Sequence, residues 1–294
     1  MYAVAKLACP KPVQKQAGIY IIIFLNKKIR TVLTKTRSVV LKEVKFKDQS
    51  KICSLYTRDF GRISVILKGG RNPKSRLSGL FSTGNLLEVV LYKRNNRDIQ
   101  LVSEARIIRS PMTAEPSIKR FSAVYRLIET LRNTTGNEEK NTRLFDLLAV
   151  TLETLCIPCR NADAAVAWFM LRLISDMGFE PSIERCVTTG KPIMPMIRDG
   201  SVSELCLFYD PGGVALQAHS TTSGQSGQLL TVPVYLLMRT LTGIDIRSVE
   251  NLDIPIEESR QLCDILQNYC SIHSDRKPSA KNRKIISQIL SGPE

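Results

Sequence analysis

Lys51-Ile52-Cys53-Ser54-Leu55-Tyr56-Thr57 alternates polar and apolar side chains, the pattern of a strand with one face buried. Arg58-Asp59-Phe60-Gly61-Arg62 follows, a turn carrying a glycine, and Ile63-Ser64-Val65-Ile66-Leu67 returns as a second strand. The two strands and the turn make a β-hairpin. Its surroundings read the same way: Ser38 to Val44 ahead of it, then Leu86 to Tyr92 and Ile99 to Ile108 behind it, are further strand candidates. Five short, turn-rich strands within residues 36–110 predict a small barrel or an open β-roll.

Out of the hairpin's second strand comes Lys68-Gly69-Gly70-Arg71-Asn72-Pro73-Lys74-Ser75-Arg76-Leu77-Ser78-Gly79. Glycine, proline and serine keep it a loop rather than a helix. Lys68, Arg71, Lys74 and Arg76 fall within it with no acid among them. A cationic loop leaving a strand suits phosphate oxygens; a solvated surface turn is the plainer alternative. Arg58 and Arg62 on the hairpin turn, and Lys93, Arg94 and Arg97 on the next turn, are expected to flank this loop on one side of the barrel. Among the nearby aromatics, Tyr56 and Tyr92 sit inside strand patterns. Phe60, in the turn, is the better candidate for stacking on a base.

Charge is distributed unevenly. The 294 residues carry a formal net charge of +15, with pI near 9.6. Residues 1–35 hold seven Lys/Arg and no acid, residues 36–110 hold sixteen against six acids, and residues 111–294 hold nineteen against twenty-one. The whole positive excess therefore lies in the first 110 residues, which points to a polyanionic partner, nucleic acid or an anionic membrane. The longest apolar run, Ile19 to Leu25, is seven residues, far short of the roughly 18–20 a membrane helix needs. Residues 1–35 read as an N-terminal extension separate from the β domain.

At Ser110-Pro111 the pattern changes. Ile118, Phe121, Val124, Tyr125, Ile128 and Leu131 recur at helical spacing, and helical runs follow at Leu144–Leu155 and Ala164–Met177. Residues 181–232 read as irregular, with a strand candidate at Leu205–Tyr209. Helices return at Pro233–Thr242, Glu257–Ile272 and Asn282–Leu290. The predicted domains are 1–35, a β domain 36–110 and a helical domain 111–294 with the irregular insertion 181–232.

Catalytic chemistry has little to use. Only His219 and His273 are present, and no nucleophile elbow, Walker or dinucleotide-binding pattern occurs. Cys156-Ile157-Pro158-Cys159 lacks the second pair that a four-ligand zinc site needs. The eight cysteines are scattered, as suits reduced thiols in a cytoplasmic protein. The sequence predicts a protein that is not an enzyme.

The order of these features resembles the RecO family of recombination mediators. Ser38-Val39-Val40-Leu41-Lys42, Tyr56 to Ser64 and the loop from Lys68 to Gly79 carry the resemblance in the β domain. Leu144-Phe145-Asp146-Leu147-Leu148, Trp168 to Leu173 and Met177-Gly178-Phe179-Glu180-Pro181 carry it in the helices. It runs from about residue 36 to the C-terminus.

The resemblance implies an α+β chain: an N-terminal OB-fold barrel, then a helical domain with a zinc-binding insertion. It also implies binding to single- and double-stranded DNA, strand annealing, and action with RecR to load RecA on strands coated by single-strand-binding protein, whose acidic tail is a further partner. No nucleotide hydrolysis is implied. The family's two Cys-x-x-Cys pairs are degenerate here, reading Cys186…Thr189 and Leu216…His219. Two ligands do not hold a structural zinc, so neither zinc nor another cofactor is expected. The DNA-binding residues expected are Arg58, Arg62, Lys68, Arg71, Lys74, Arg76, Lys93, Arg94 and Arg97. Rival readings are an OB-fold RNA-binding protein and a membrane-associated basic protein; no membrane partner is expected.

Overall fold

A computed structural model describes residues 32–94, 97–111, 117–157, 161–216 and 227–274. The helix expected at Asn282–Leu290 and the position of His219 lie outside the described residues.

Five strands close into a barrel in the order β1-β2-β3-β5-β4. They are β1 (Val32–Phe46), β2 (Ser50–Thr57), β3 (Gly61–Leu67), β4 (Leu86–Lys93) and β5 (Ile99–Arg109). β1 begins at Val32, inside the segment that the sequence pattern set apart as 1–35. β1 is long because it serves two neighbours. Its first half pairs with β4 (Val39 opposite Leu86) and its second half with β2, across a bulge between Val40 and Lys42. β3 and β5 pair in parallel, Ser64 opposite Ile99, which closes the barrel and leaves no free edge.

Alternation sorts the barrel residues into two cores. Val40, Cys53, Leu55, Ile63, Val65, Leu67, Leu87, Val89 and Leu91 point inward, with Phe81 among them at 1% exposure. Val39, Leu41, Tyr56 and Leu86 point outward and join the core of the helical domain. The barrel and the helices therefore share a buried apolar layer.

The helical domain is built around α3 (Ala162–Asp176), in which Ala164 to Leu171 are all buried. A helix apolar on every side must be surrounded. α1 (Ile118–Thr134), α2 (Thr142–Cys156), α5 (Val232–Gly243) and α7 (Ile256–Ile272) supply that surround. Asn161 caps α3 by accepting from Ala164 N–H at 3.1 Å, and also donates to Ile254 O. From α3, Arg172 donates to the carbonyls of Leu241, Thr242 and Ile244, so the otherwise unpaired end of α5 is satisfied.

Residues 181–232 are more ordered than their composition suggested. They contain α4 (Ile193–Arg198) and a three-stranded antiparallel sheet ordered β7-β6-β8, from β6 (Glu204–Phe208), β7 (Gly213–Leu216) and β8 (Gly227–Thr231). Leu205 to Phe208 are all buried, so β6 shows no alternation. Strands this short beside Gly- and Ser-rich links leave little periodic signal. A one-turn helix, α6 (Ile246–Val249), precedes α7.

Gly61 fixes the junction of the two domains. Its φ is +64°, and a Cβ there would lie 2.0 Å from the backbone oxygen of Glu139 in the α1–α2 loop. Gly61→Ala is expected to lower stability by about 2–4 kcal/mol. The measurement is a drop in the urea midpoint at unchanged m-value. A loss below about 0.5 kcal/mol would mean that the α1–α2 loop yields freely.

Candidate nucleic-acid interface

The structure divides the predicted cations into two groups. Arg58 and Arg62 lie at the β2–β3 turn, where β3 starts. The parallel pairing of Ser64 with Ile99 brings the β4–β5 turn, with Lys93, Arg94 and Arg97, to that same end. Lys68, Arg71, Lys74 and Arg76 leave the other end of β3. Arg62 and Lys68 are six residue steps apart, roughly 20 Å of strand. The long loop is therefore not flanked by Arg58/Arg62 and Lys93/Arg97, contrary to the sequence expectation. Adjacency in sequence concealed the length of the strand between them.

At the first end, three cations are engaged with the helical domain. Arg58 makes a two-pronged pair with Asp146 of α2 at 2.9 and 3.0 Å. These bonds hold the Asp146 carboxyl below its ordinary pKa. Arg62 donates to Arg132 O at 3.1 Å, and its own carbonyl accepts from Glu138 N–H. Lys93 is 3.9 Å from Glu138 and lies over the Phe60 ring at 5.5 Å. Phe60 is half-buried, packed against the barrel core under that cation. Gln100, 1% exposed, clamps the β4–β5 turn by donating to Arg94 O and Arg97 O and accepting from Arg94 N–H. Arg97 is exposed and Arg94 half-buried.

At the other end, the long loop is a chain of tight turns. Asn72 N–H bonds Gly69 O, Ser75 N–H bonds Asn72 O, and Ser78 N–H bonds Ser75 O, each at 2.9 Å. Leu77 and Leu80 pack inward on the barrel core, with Phe81 buried beneath them. Lys68, Arg71, Lys74 and Arg76 are exposed, and among the described residues none of them makes an ion pair with a carboxylate. Arg71 also ties the loop to the β1–β2 turn, its side chain donating to Lys47 O at 2.7 Å and its N–H to Gln49 O.

That tie brings in cations the sequence reading passed over. Lys45 and Lys47, both exposed, belong to the same end of the barrel. Their signal was present in the charge count of residues 36–110, but only strand register shows which loop they join. Lys51, by contrast, is paired with Glu43 at 2.8 Å.

The insertion holds one buried thiol at the predicted metal position. Burial pushes the Cys186 thiol up in pKa. Hydrogen bonds from the Thr189 hydroxyl and the backbone N–H groups of Leu216, Thr189 and Thr188 outweigh it and bring it below its ordinary value. Thr189 and Leu216 stand where two further ligands would be needed, and neither is a zinc ligand. Among the described residues, no three His, Cys, Asp or Glu side chains gather as a metal set. The residues present do not fit a structural zinc.

Two family models cover this architecture. Recombination protein O N terminal matches residues 31–111, and Recombination protein O C terminal matches residues 115–282. The chain belongs to the RecO family. A DNA repair protein RecO from Chlorobium phaeobacteroides strain BS1 is 73% identical over 259 residues, 88% of this chain and 99% of the relative. The corresponding protein of Prosthecochloris aestuarii is 48% identical over 259 residues, 88% of this chain and 98% of its own. That of Chloroherpeton thalassium is 32% identical over 262 residues, 88% of this chain and all of the relative. The barrel followed by helices fits the RecO family; a zinc-finger-like insertion is not confirmed. Among the described residues, no helix is long and apolar enough to cross a membrane.

The protein is expected to purify without stoichiometric zinc, as elemental analysis measures, and a chelator should leave its unfolding midpoint unchanged. One zinc per chain would mean that groups beyond the described residues complete a site at Cys186.

Proposed function

We propose that this chain is a DNA-binding recombination mediator of DNA repair, acting in the cytoplasm without catalysis of its own. One observation carries the reading. The cations of the loop from Lys68 to Arg76 are exposed and unneutralised, while Lys35, Arg37, Lys51, Arg58, Lys93 and Arg106 each have a carboxylate of the chain close by. The loop cations are therefore available to phosphates. Lys45 and Lys47 extend the same surface. Arg97, exposed on the β4–β5 turn that it shares with the half-buried Arg94, offers a second contact at the opposite end of the barrel. Arg58, Arg62 and Lys93 rank below the loop cations, because Arg58 and Arg62 already donate to the helical domain and Lys93 lies 3.9 Å from Glu138.

Such contacts reach the backbone rather than base edges, so binding is largely independent of sequence. Annealing follows from the same charges. Cations screen the repulsion between two strands and release their counterions, so complementary strands can approach. Family membership supports the partners: RecR, and single-strand-binding protein through its acidic tail, in the loading of RecA on coated strands. The near-neutral helical domain suits contacts of this kind.

Salt dependence tests the loop. Replacing Lys74 and Arg76 together with Ala should reduce the slope of log K against log salt by about 1.4 on single strands and about 1.8 on duplex. Arg58→Ala should leave the slope unchanged. An unaltered slope in the loop variant would remove the loop from the interface. Preferential displacement by RNA over DNA of equal length would favour an RNA-binding role instead. The loop variant should also anneal strands coated with single-strand-binding protein more slowly than wild type.

A further inference from the structure

We propose that Phe121 and Tyr125 on α1 form a stacking platform for the bases of single-stranded nucleic acid, on the helix against which the segment following the cationic loop packs. The proposal rests on the DNA-binding reading above and adds a site on the helical domain.

Exposure of the rings is the first argument. Phe121 is 41% exposed and Tyr125 is 38% exposed, with ring centroids 4.4 Å apart. Among the described residues, no other paired rings are both exposed to this degree. Ile118, 68% exposed, extends the stripe by one turn. Most aromatics of the barrel are less available: Tyr56 and Phe81 are buried, and Phe60 lies half-buried beneath Lys93. Tyr92, 41% exposed, is a single ring with no aromatic partner among the described residues. A binder that grips single strands needs faces on which unpaired bases can lie, and duplex bases already cover each other's faces.

Charge is the second argument. The first turn of α1 has no acid and carries Lys119 and Arg120. Arg109, exposed, ends β5 close by. Burial raises the pKa of Cys156, and Arg109 and Arg120 both act against it. Arg109 and Arg120 thus add positive charge on the side of α1 near the end of α2. Rings bordered by cations and offered to solvent suit an anionic chain with flat, apolar bases better than a neutral apolar partner.

Packing is the third. The segment that leaves the cationic loop ends at Gly84, with φ +89°, against α1. A Cβ there would lie 2.6 Å from Cγ1 of Val124 and 3.7 Å from Pro111. Val124 lies between Phe121 and Tyr125 in sequence and is buried. The segment that follows the cationic loop is therefore packed closely against α1, the helix that carries the ring pair.

The test uses the full chain with fluorescein-labelled oligodeoxythymidylate and a duplex of equal length. Phe121→Leu with Tyr125→Leu keeps apolar bulk and removes both π faces. The dissociation constant for the single strand is expected to rise roughly tenfold. Duplex affinity, salt slope and unfolding midpoint should not change, since no charge is lost. Phe121→Trp should retain binding, and its emission should be quenched by the oligonucleotide, against a background from Trp168 that is only 4% exposed. Unchanged single-strand affinity, an equal loss on duplex, or unquenched emission from F121W would overturn the platform. A leucine variant that binds both DNAs normally but loses a protein partner would also overturn it and make the stripe a protein-docking surface. Lys74→Ala with Arg76→Ala runs in parallel. If that variant weakens and the leucine variant does not, only the platform fails; if neither differs from wild type, the DNA-binding reading of the loop fails too.

Discussion

The structure depends on how closely the β2–β3 turn approaches the α1–α2 loop. Gly61 has no room for a side chain beside Glu139, and Arg62 O accepts from Glu138 N–H at 2.9 Å. Once the two backbones meet there, Tyr56 is buried against Phe145, with ring centroids 6.4 Å apart. Val39 and Leu86 then close over the helical core. Burying such side chains contributes about 1.5–3 kcal/mol each. The ion pairs at the junction, Arg58–Asp146, Arg37–Glu153 and Lys93–Glu138, are half-exposed and contribute little, about 0–1 kcal/mol each. Apolar burial holds the domains together, and the charged pairs select one alignment.

That alignment sorts the positive charge. In each junction pair the cation comes from the barrel and the acid from the helical domain. The helical acids thus neutralise the barrel cations they can reach, all at one end. The loop at the other end of β3 lies out of their reach and keeps its charge. A barrel rich in cations and a near-neutral helical domain, joined in this way, leave the loop end of β3 as a free cationic edge. The distribution of charge along the sequence showed that such an edge should exist, not where it would lie.

The barrel was legible because alternation is a local property. Cys53, Leu55, Ile63, Val65 and Leu67 announce one buried face within a single hairpin, and the register then follows. α3 was legible for the opposite reason, a run apolar on every side. What could not be read joins residues far apart in the chain: Arg58 to Asp146, Arg71 to Lys47, Gly84 to Val124. None of these carries a periodic or compositional mark, and each changes the standing of a site residue. Gln100 is similar. Its buried amide shapes the β4–β5 turn, yet its position inside a strand pattern gives no hint of it. The exposed rings of α1 were visible only as apolar positions at helical spacing. Only the packing shows that Val124 is covered while Phe121 and Tyr125 are not.

The insertion's small sheet has an apolar core of its own. A structural zinc supplies an apparent 10–16 kcal/mol, roughly. Leu205, Leu207, Phe208, Val214 and Leu230 are each at most 1% exposed. Together they contribute on the order of 8–15 kcal/mol before chain entropy is counted. The two quantities are of the same order, and β6, packed between β7 and β8 and beneath α5, gives the sheet its core by burial. A zinc-held loop loosens with chelation or thiol oxidation, whereas a buried sheet loosens only when its apolar face is opened. Cys186 remains at the edge of this sheet, its sulfur cradled by backbone N–H groups, and its role is to fill and satisfy a turn.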